Sequence, residues 1–282
     1  MIVTTGATGA LNGRTTEKLL EVLPADRIGV SVRDVTRAQS LAERGVRVRQ
    51  GSYTDPAALR HSFEDAEQVL LVSTSDPHAD GVALHRNGIE AAQAVGARRV
   101  LYTSHQGAHP DTPFHPGRDH AGTEAALAES GVAWTSLRNG FYAHSLDWFL
   151  GPWQRTGTIA APADGPTSWT HREDAADAAA VLLAGAPVDG PVTLTAREAV
   201  TFEDIAAVLT ELTGRTVRRV VVDDEEWVAD SVAAGTPEPM ARFVLSYFQA
   251  ARAGFFAGTD PALGDLLGRE PRTVRDLLAT RV

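Results

Sequence analysis

The chain contains no cysteine. Disulfides, thiolate nucleophiles and cysteine-held zinc or iron–sulfur clusters are excluded, and nothing argues for an oxidising compartment. Lysine is almost absent: Lys18 is the single copy in 282 residues. No apolar run approaches the length of a bilayer crossing, and the chain opens with neither a basic leader nor a signal-type apolar stretch. The expectation is a soluble, cytoplasmic protein with no membrane partner. An excess of positive charge is also missing. The formal net charge is −10, with arginines dispersed among acids. That disfavours a nucleic-acid partner, because phosphate binders carry a basic face. His105, His109, His115 and His120 lie close in sequence. However, no i, i+4 histidine pair carries a ligand glutamate, and Pro110, Pro113 and Pro116 point to an irregular loop, so no metal site is expected. His120 and Glu124, four apart on a helix face, are expected to pair with each other.

What is present begins at the first residues. Met1-Ile2-Val3 is an apolar run leading into Gly6-Ala7-Thr8-Gly9-Ala10-Leu11, and a helical pattern follows with Leu19, Leu20, Val22 and Leu23 on one side. Strand, glycine turn and helix are the context in which a glycine motif means dinucleotide binding. The turn admits a pyrophosphate to the backbone, and the helix N-terminus offers it unpaired N–H groups.

Strand and helix signals then alternate. Strands are expected at Ile28 to Val32, Val46 to Arg49, Val69 to Val72, Arg99 to Thr103 and Val132 to Leu137. Helices are expected around Thr36 to Arg44, at Pro56 to Phe63 behind an Asp55 cap, at Leu84 to Val95 and at Asp119 to Ser130. The fold class is therefore α/β: a doubly wound parallel Rossmann sheet over residues 1–150. A smaller C-terminal α/β lobe is expected over 151–282, with the chain free to cross between lobes and the smaller lobe forming one wall of a cleft. That region shows an aromatic cluster (Phe141, Tyr142, Trp148, Phe149, Trp153), a helix at Asp174 to Ala184, and a short strand at 192–194. A helix capped by Thr201 and Asp204 and stopped by Gly214 follows, then one at Asp223 to Ala234. Ligands on such sheets sit at the carboxyl ends of strands, which selects Gly6 to Leu11, Arg33, Ser73 to Ser75, Ser104 and Arg138 to Tyr142.

GATGALN at the start, VRD at 32–34, LLVSTS at 70–75, YTS at 102–104 and LRNGFY at 137–142 occur in one order. HxxxE at His120 and Glu124, TFEDIAAVLTELTG at 201–214 and LLGREPRTVRDLL near the end follow. Together these resemble the NmrA-like atypical short-chain dehydrogenase/reductase family, and within it the NADPH-dependent quinone reductases and triarylmethane-dye reductases. The resemblance covers the whole chain. It implies an NADP cofactor held by Gly6, Ala7, Thr8, Gly9, Ala10, Leu11, Arg33, Ser73, Thr74, Ser75, Leu137, Asn139, Gly140, Phe141 and Tyr142. Arg33 ends the second strand, where an arginine suits the 2′-phosphate of NADPH and an acid would suit NADH. Asp34 follows directly, so NADH remains open. Asn139-Gly140 is also a common turn pair. One departure stands out: Asn12 occupies the position of the family's third glycine, with Gly13 next, and Thr15 and Thr16 replace apolar residues. Asn12 is expected to tilt the helix or shift its start.

The Tyr-x-x-x-Lys pair of main-line short-chain dehydrogenases is missing: Gln106 follows Tyr102 by four, and Leu146 follows Tyr142 by four. A simple ketone becomes a localised alkoxide on receiving hydride and needs a proton donor. A quinone yields a delocalised phenolate and a cationic dye yields a neutral product, so proximity and orientation suffice. The reaction expected is hydride transfer from NADPH to a conjugated, electron-poor small molecule. A dye or specialised-metabolite reductase and a non-catalytic NADP-binding redox sensor are the alternatives. Acceptor-side candidates are Ser104 and His105 as donors, with Tyr142 and Trp148 as flat stacking surfaces, although packing explains the last two equally well. The catalytic residue is unassigned, and a homodimer is the one assembly considered.

Overall fold

The computed structural model describes residues 1–74, 76 and 79–282. The chain divides into two compact units. One comprises Met1–His105, Asp119–Arg138 and Glu173–Val192; the other comprises Gln106–Arg118, Asn139–Arg172 and Thr193–Val282.

The first unit is built on Ile2–Thr5 (β1), Ala10–Val22 (α1), Ile28–Val32 (β2), Gln39–Glu43 (α2), Arg47–Gln50 (β3), Pro56–Phe63 (α3), Gln68–Leu71 (β4), Gly81–Ala94 (α4), Arg99–His105 (β5), His115–Glu129 (α5) from Asp119 onward, and Ala133–Asn139 (β6) as far as Arg138. With the strand Gly190–Leu194 they form a seven-stranded sheet, ordered Gly190–Leu194, β6, β5, β4, β1, β2, β3. The pairs β1/β2, β2/β3, β1/β4 and β4/β5 are parallel. This is the doubly wound α/β arrangement, in which strand order reverses beside β1. Val69, Leu70 and Leu71 are buried, as suits a strand covered on both faces. Local signals set the helix starts: Asp55 accepts from the N–H groups of Ala57 and Ala58 to open α3, and Asp80 accepts from Ala83 to open α4.

Two expectations are corrected here. The side of α1 that carries Leu19, Leu20, Val22 and Leu23 is not uniformly buried: the helix buries Asn12, Thr15, Thr16 and Leu19, and Val22 is 64% exposed. The strand beneath is itself hydroxylated, so polar pairs replace apolar ones. Thr16 Oγ1 lies 3.0 Å from Thr4 Oγ1, and Asn12 Nδ2 donates to the Thr5 carbonyl at 2.8 Å. The second correction concerns α5, which begins at His115 rather than Asp119. His115 is thus helical as well as His120, and Pro116 sits in the first turn, where a missing N–H costs nothing.

The second unit carries two parallel two-stranded sheets, Phe141–Tyr142 with Trp169–Thr170, and Thr158–Ala161 with Arg218–Val221. Its helix Phe202–Thr213 has the capping box of Thr201 and Asp204, and Gly214 ends it in the left-handed region. Its core is aromatic and includes Phe114, Phe149, Trp169, Phe202, Tyr247, Phe248 and Phe256. Among the described residues no helix is long and apolar enough to cross a membrane.

Candidate functional site

Strand order reverses between β1 and β4, so the loops leaving these two strands flank the position where such sheets bind ligands. Gly6 has φ +65°, and a Cβ on it would lie 2.7 Å from Val72 Cγ1. Glycine is therefore required both for the turn and for the approach of the two loops. Gly9 is the N-cap of α1; no side chain caps this end, and the first turn carries no acid. The opening N–H groups of α1 suit an anionic pyrophosphate. Ala7, Thr8, Ala10 and Leu11 complete the turn and the helix start.

Arg33 lies at the end of β2 and is exposed. The neighbouring Asp34 is committed elsewhere. Its Oδ1 accepts from the Thr36 N–H at 3.0 Å and the Thr36 hydroxyl at 2.6 Å, and these bonds hold its carboxyl below the usual range. After β4, Ser73 and Thr74 are half-buried; Ser75 lies outside the described residues.

At the ends of β5 and β6, Glu124 of α5 acts as a hub. It accepts from Ser104 Oγ at 2.7 Å, Ser136 Oγ at 2.6 Å and Arg138 Nε at 3.0 Å, with Arg138 Nη2 on its other oxygen. His120 does not pair with Glu124 as the spacing suggested; its Nδ1 lies 2.8 Å from the Tyr102 hydroxyl. Partners from neighbouring strands have displaced the i, i+4 contact. His105 stacks on His120 with ring centroids 6.1 Å apart, and burial pushes the His105 pKa down to about 4. Burial also pushes the buried Tyr102 hydroxyl well above its ordinary value. Leu137 is buried in β6.

In the second unit, Asn139 is 2% exposed and its Nδ2 donates to the Tyr142 hydroxyl at 3.2 Å. Its Oδ1 is buried without a hydrogen-bond partner among the described residues. A buried amide with one end unmet is costly and suits a ligand that supplies the missing bond. Gly140 is needed for packing: a Cβ there would fall 2.1 Å from Thr170 Oγ1, and its N–H donates to the Leu194 carbonyl. Phe141 packs on Phe114, Trp169 and Tyr247. Tyr142 stacks on His144, and burial raises its pKa to about 12. Trp148 is 69% exposed. Of the aromatic stretch read from sequence, Phe149 and Trp153 join the core, while Trp148 does not. Among the described residues no group of three potential metal ligands occurs.

A family model described as NAD(P)H-binding matches residues 6–186. Quinone oxidoreductase 2 of Escherichia coli (strain K12) is 34% identical over 279 residues, covering 98% of this chain and 96% of the relative. An NmrA-like family domain-containing oxidoreductase of Aspergillus flavus is 30% identical over 281 residues, covering 96% and 92%. The chain belongs to the NAD(P)H-binding NmrA-like family of oxidoreductases. The crystal structure of the Escherichia coli NADPH-dependent quinone oxidoreductase complexed with NADPH aligns with a TM-score of 0.91 at 31% identity, covering 100% of this chain and 99% of that one. The Citrobacter sp. triphenylmethane reductase complexed with NADP(H) aligns at 0.89 and 30%, covering both chains fully.

Within this NmrA-like frame, Asn12 Nδ2 is met by the Thr5 carbonyl, its Oδ1 is buried without a hydrogen-bond partner among the described residues, and α1 still starts directly after Gly9. Close contact falls on Gly13, where a Cβ would lie 2.9 Å from the Ala7 carbonyl oxygen. The residues that sequence reasoning missed are Thr5, His85 and Thr103, which bond the loop after β4. No local motif marks them, because each is joined to that loop only by the fold.

Proposed function

We propose that this protein is an NADPH-dependent reductase that passes hydride to a quinone or a related conjugated, electron-poor acceptor, without a side-chain proton donor. The observation that carries this reading is the commitment of the hydroxyls at the ends of β5 and β6. Ser104 donates to Glu124, and Tyr102 is tied to His120. Tyr102 and Tyr142 are both pushed up by burial, the opposite of the tuning that a general acid needs. The single lysine sits on α1, so no Tyr-Lys pair can replace them. An acceptor whose reduced form is delocalised or neutral does not require such an acid.

The cofactor reading assigns the pyrophosphate to Gly6–Leu11 and α1, and the 2′-phosphate to Arg33, since Asp34 is occupied in capping its own turn. Ser73, Thr74 and Leu137 are assigned to the remainder in the first unit, and the unmet amide of Asn139 is the candidate contact in the second. NADPH, when bound, supplies the hydride. Quinone and triphenylmethane-dye acceptors are the substrates named for the relatives, and both belong to the class proposed.

The test is NADPH consumption with a benzoquinone, a naphthoquinone, a triarylmethane dye and a simple ketone, repeated with NADH and with Arg33→Ala. Turnover with quinone or dye but not ketone, and an Arg33→Ala loss confined to NADPH, is expected. Tight NADPH binding with no turnover on any acceptor would replace the reductase by a redox sensor.

A further inference from the structure

Three consecutive backbone N–H groups after β4 each donate to a side chain from a different element. Val72 donates to Thr5 Oγ1 of β1 at 2.8 Å, Ser73 to Thr103 Oγ1 of β5 at 2.8 Å, and Thr74 to His85 Nε2 of α4 at 2.9 Å. A loop leaving a parallel strand loses its ladder partners, and its N–H groups must find others. Here the protein supplies all three, which fixes the backbone path before a ligand arrives.

His85 is the one ring among the three acceptors, and its state can be deduced. Thr123 Oγ1 donates to the Asp119 carbonyl at 2.8 Å, so its proton is spent, and it must accept from His85 Nδ1, also at 2.8 Å. His85 is therefore the neutral Nδ1–H tautomer, with its Nε2 lone pair turned to Thr74. The groups around it fit a neutral ring: the Tyr102 hydroxyl lies 3.4 Å from Nδ1, and Tyr53 meets the ring edge-on. Burial pushes the His85 pKa down to about 4. Two glycines bring the ring within reach. A Cβ on Gly88 would lie 3.1 Å from both Leu71 Cδ2 and Tyr53 Cε1, and one on Gly122 would lie 2.9 Å from Val82 Cγ2. Side chains at these positions would lift α4 from β4 and from α5.

We propose that His85 is a positioning residue: accepting from Thr74 and donating to Thr123, it fixes the loop after β4 in its cofactor-binding path. This rests on the reading that Ser73 and Thr74 flank NADPH. It assigns His85 no contact with cofactor or acceptor.

The test compares His85→Gln, which retains an acceptor near Nε2, with His85→Leu, which has none, and with Thr123→Val, which removes the tautomer's partner. Amide exchange at Thr74, NADPH affinity and the unfolding midpoint are measured for each. His85→Leu is expected to speed Thr74 exchange and weaken NADPH by about tenfold, the worth of roughly one hydrogen bond to the loop. His85→Gln is expected to stay within about threefold of wild type at a similar loss of midpoint, with Thr123→Val in between. Equal NADPH affinities for the Leu and Gln variants would overturn the proposal. If His85→Leu does not fold, Thr123→Val decides: faster Thr74 exchange with weaker binding supports the role, and wild-type affinity contradicts it. Failure of the wild-type chain to bind NADPH would instead sink the functional reading.

Discussion

Each of the two units is held together internally by its own means. At the carboxyl ends of its strands, the first unit relies on hydroxyls, a histidine and a carboxylate: Thr5, Thr103 and His85 on the loop after β4, and Glu124 on Ser104, Ser136 and Arg138. The second unit relies on rings. Phe149 and Tyr247 have centroids 4.4 Å apart, Phe141 and Tyr247 4.8 Å, and Trp169 is fully buried among them. Hydrogen bonds are directional and worth little net energy, so they suit the placing of a loop. Ring packing buries large areas and adds about 0.5–1.5 kcal/mol per pair beyond that burial, so it suits the joining of chain segments distant in sequence. The difference predicts that substitutions in the second unit mainly cost stability, whereas those at the sheet ends of the first change binding out of proportion to stability.

The largest effect is expected at Trp169→Ala, about 3–5 kcal/mol of unfolding free energy from the cavity left among the rings. Denaturant unfolding measures it, and a loss below about 1 kcal/mol would mean that the aromatic cluster contributes less than its burial suggests.

A pH effect comes next. The His85 pKa falls from 6.5 to about 4 on folding, so between these values the unfolded chain binds more protons than the folded one. Stability is fully present above pH 6.5 and is lost as pH falls towards 4, by roughly 3 kcal/mol for this ring. His85→Gln should remove that part of the slope when unfolding is followed across the window; an unchanged slope would show that the ring is not buried neutral.

Glu124→Gln should cost about 2 kcal/mol, because Arg138 keeps only a neutral partner and one of the donors now faces an amide. Chemical denaturation checks this. The smallest change is Asn12→Gly, about 1 kcal/mol for the lost bond to the Thr5 carbonyl together with the flexibility of glycine in a helix. Melting of that variant beside an NADPH titration would show whether Asn12 serves stability alone.

The sequence was most readable where the cause was local. The glycine turn at Gly6–Gly9, the Asp55 cap and the Thr201–Asp204 capping box each depend on neighbours within a few positions, and each stands as read. The buried face of α1 was not legible, because counting apolar residues gives no weight to Thr4 and Thr5, whose neighbours on the helix are Asn12, Thr15 and Thr16. The HxxxE spacing suggested a pair, yet His120 and Glu124 take partners from β5 and β6. The helix Glu238–Arg252, which supplies Tyr247 and Phe248 to the core, went unread. Pro237 and Pro239 look like a break, although proline is tolerated at a helix start. His85 could not be read at all, since its partners lie at 74 and 123 and only the doubly wound topology brings them together.

The central claim is hydride transfer to a conjugated acceptor without a side-chain proton donor. Isotope effects on the transfer step test it most directly, using NADPH deuterated at the transferred position, a quinone acceptor, and H2O against D2O. The account predicts slowing by the cofactor deuterium and no effect of D2O on the hydride step, in the wild type and in Tyr142→Phe alike. Slowing in D2O that disappears in Tyr142→Phe would place a proton donor in the transition state and contradict it.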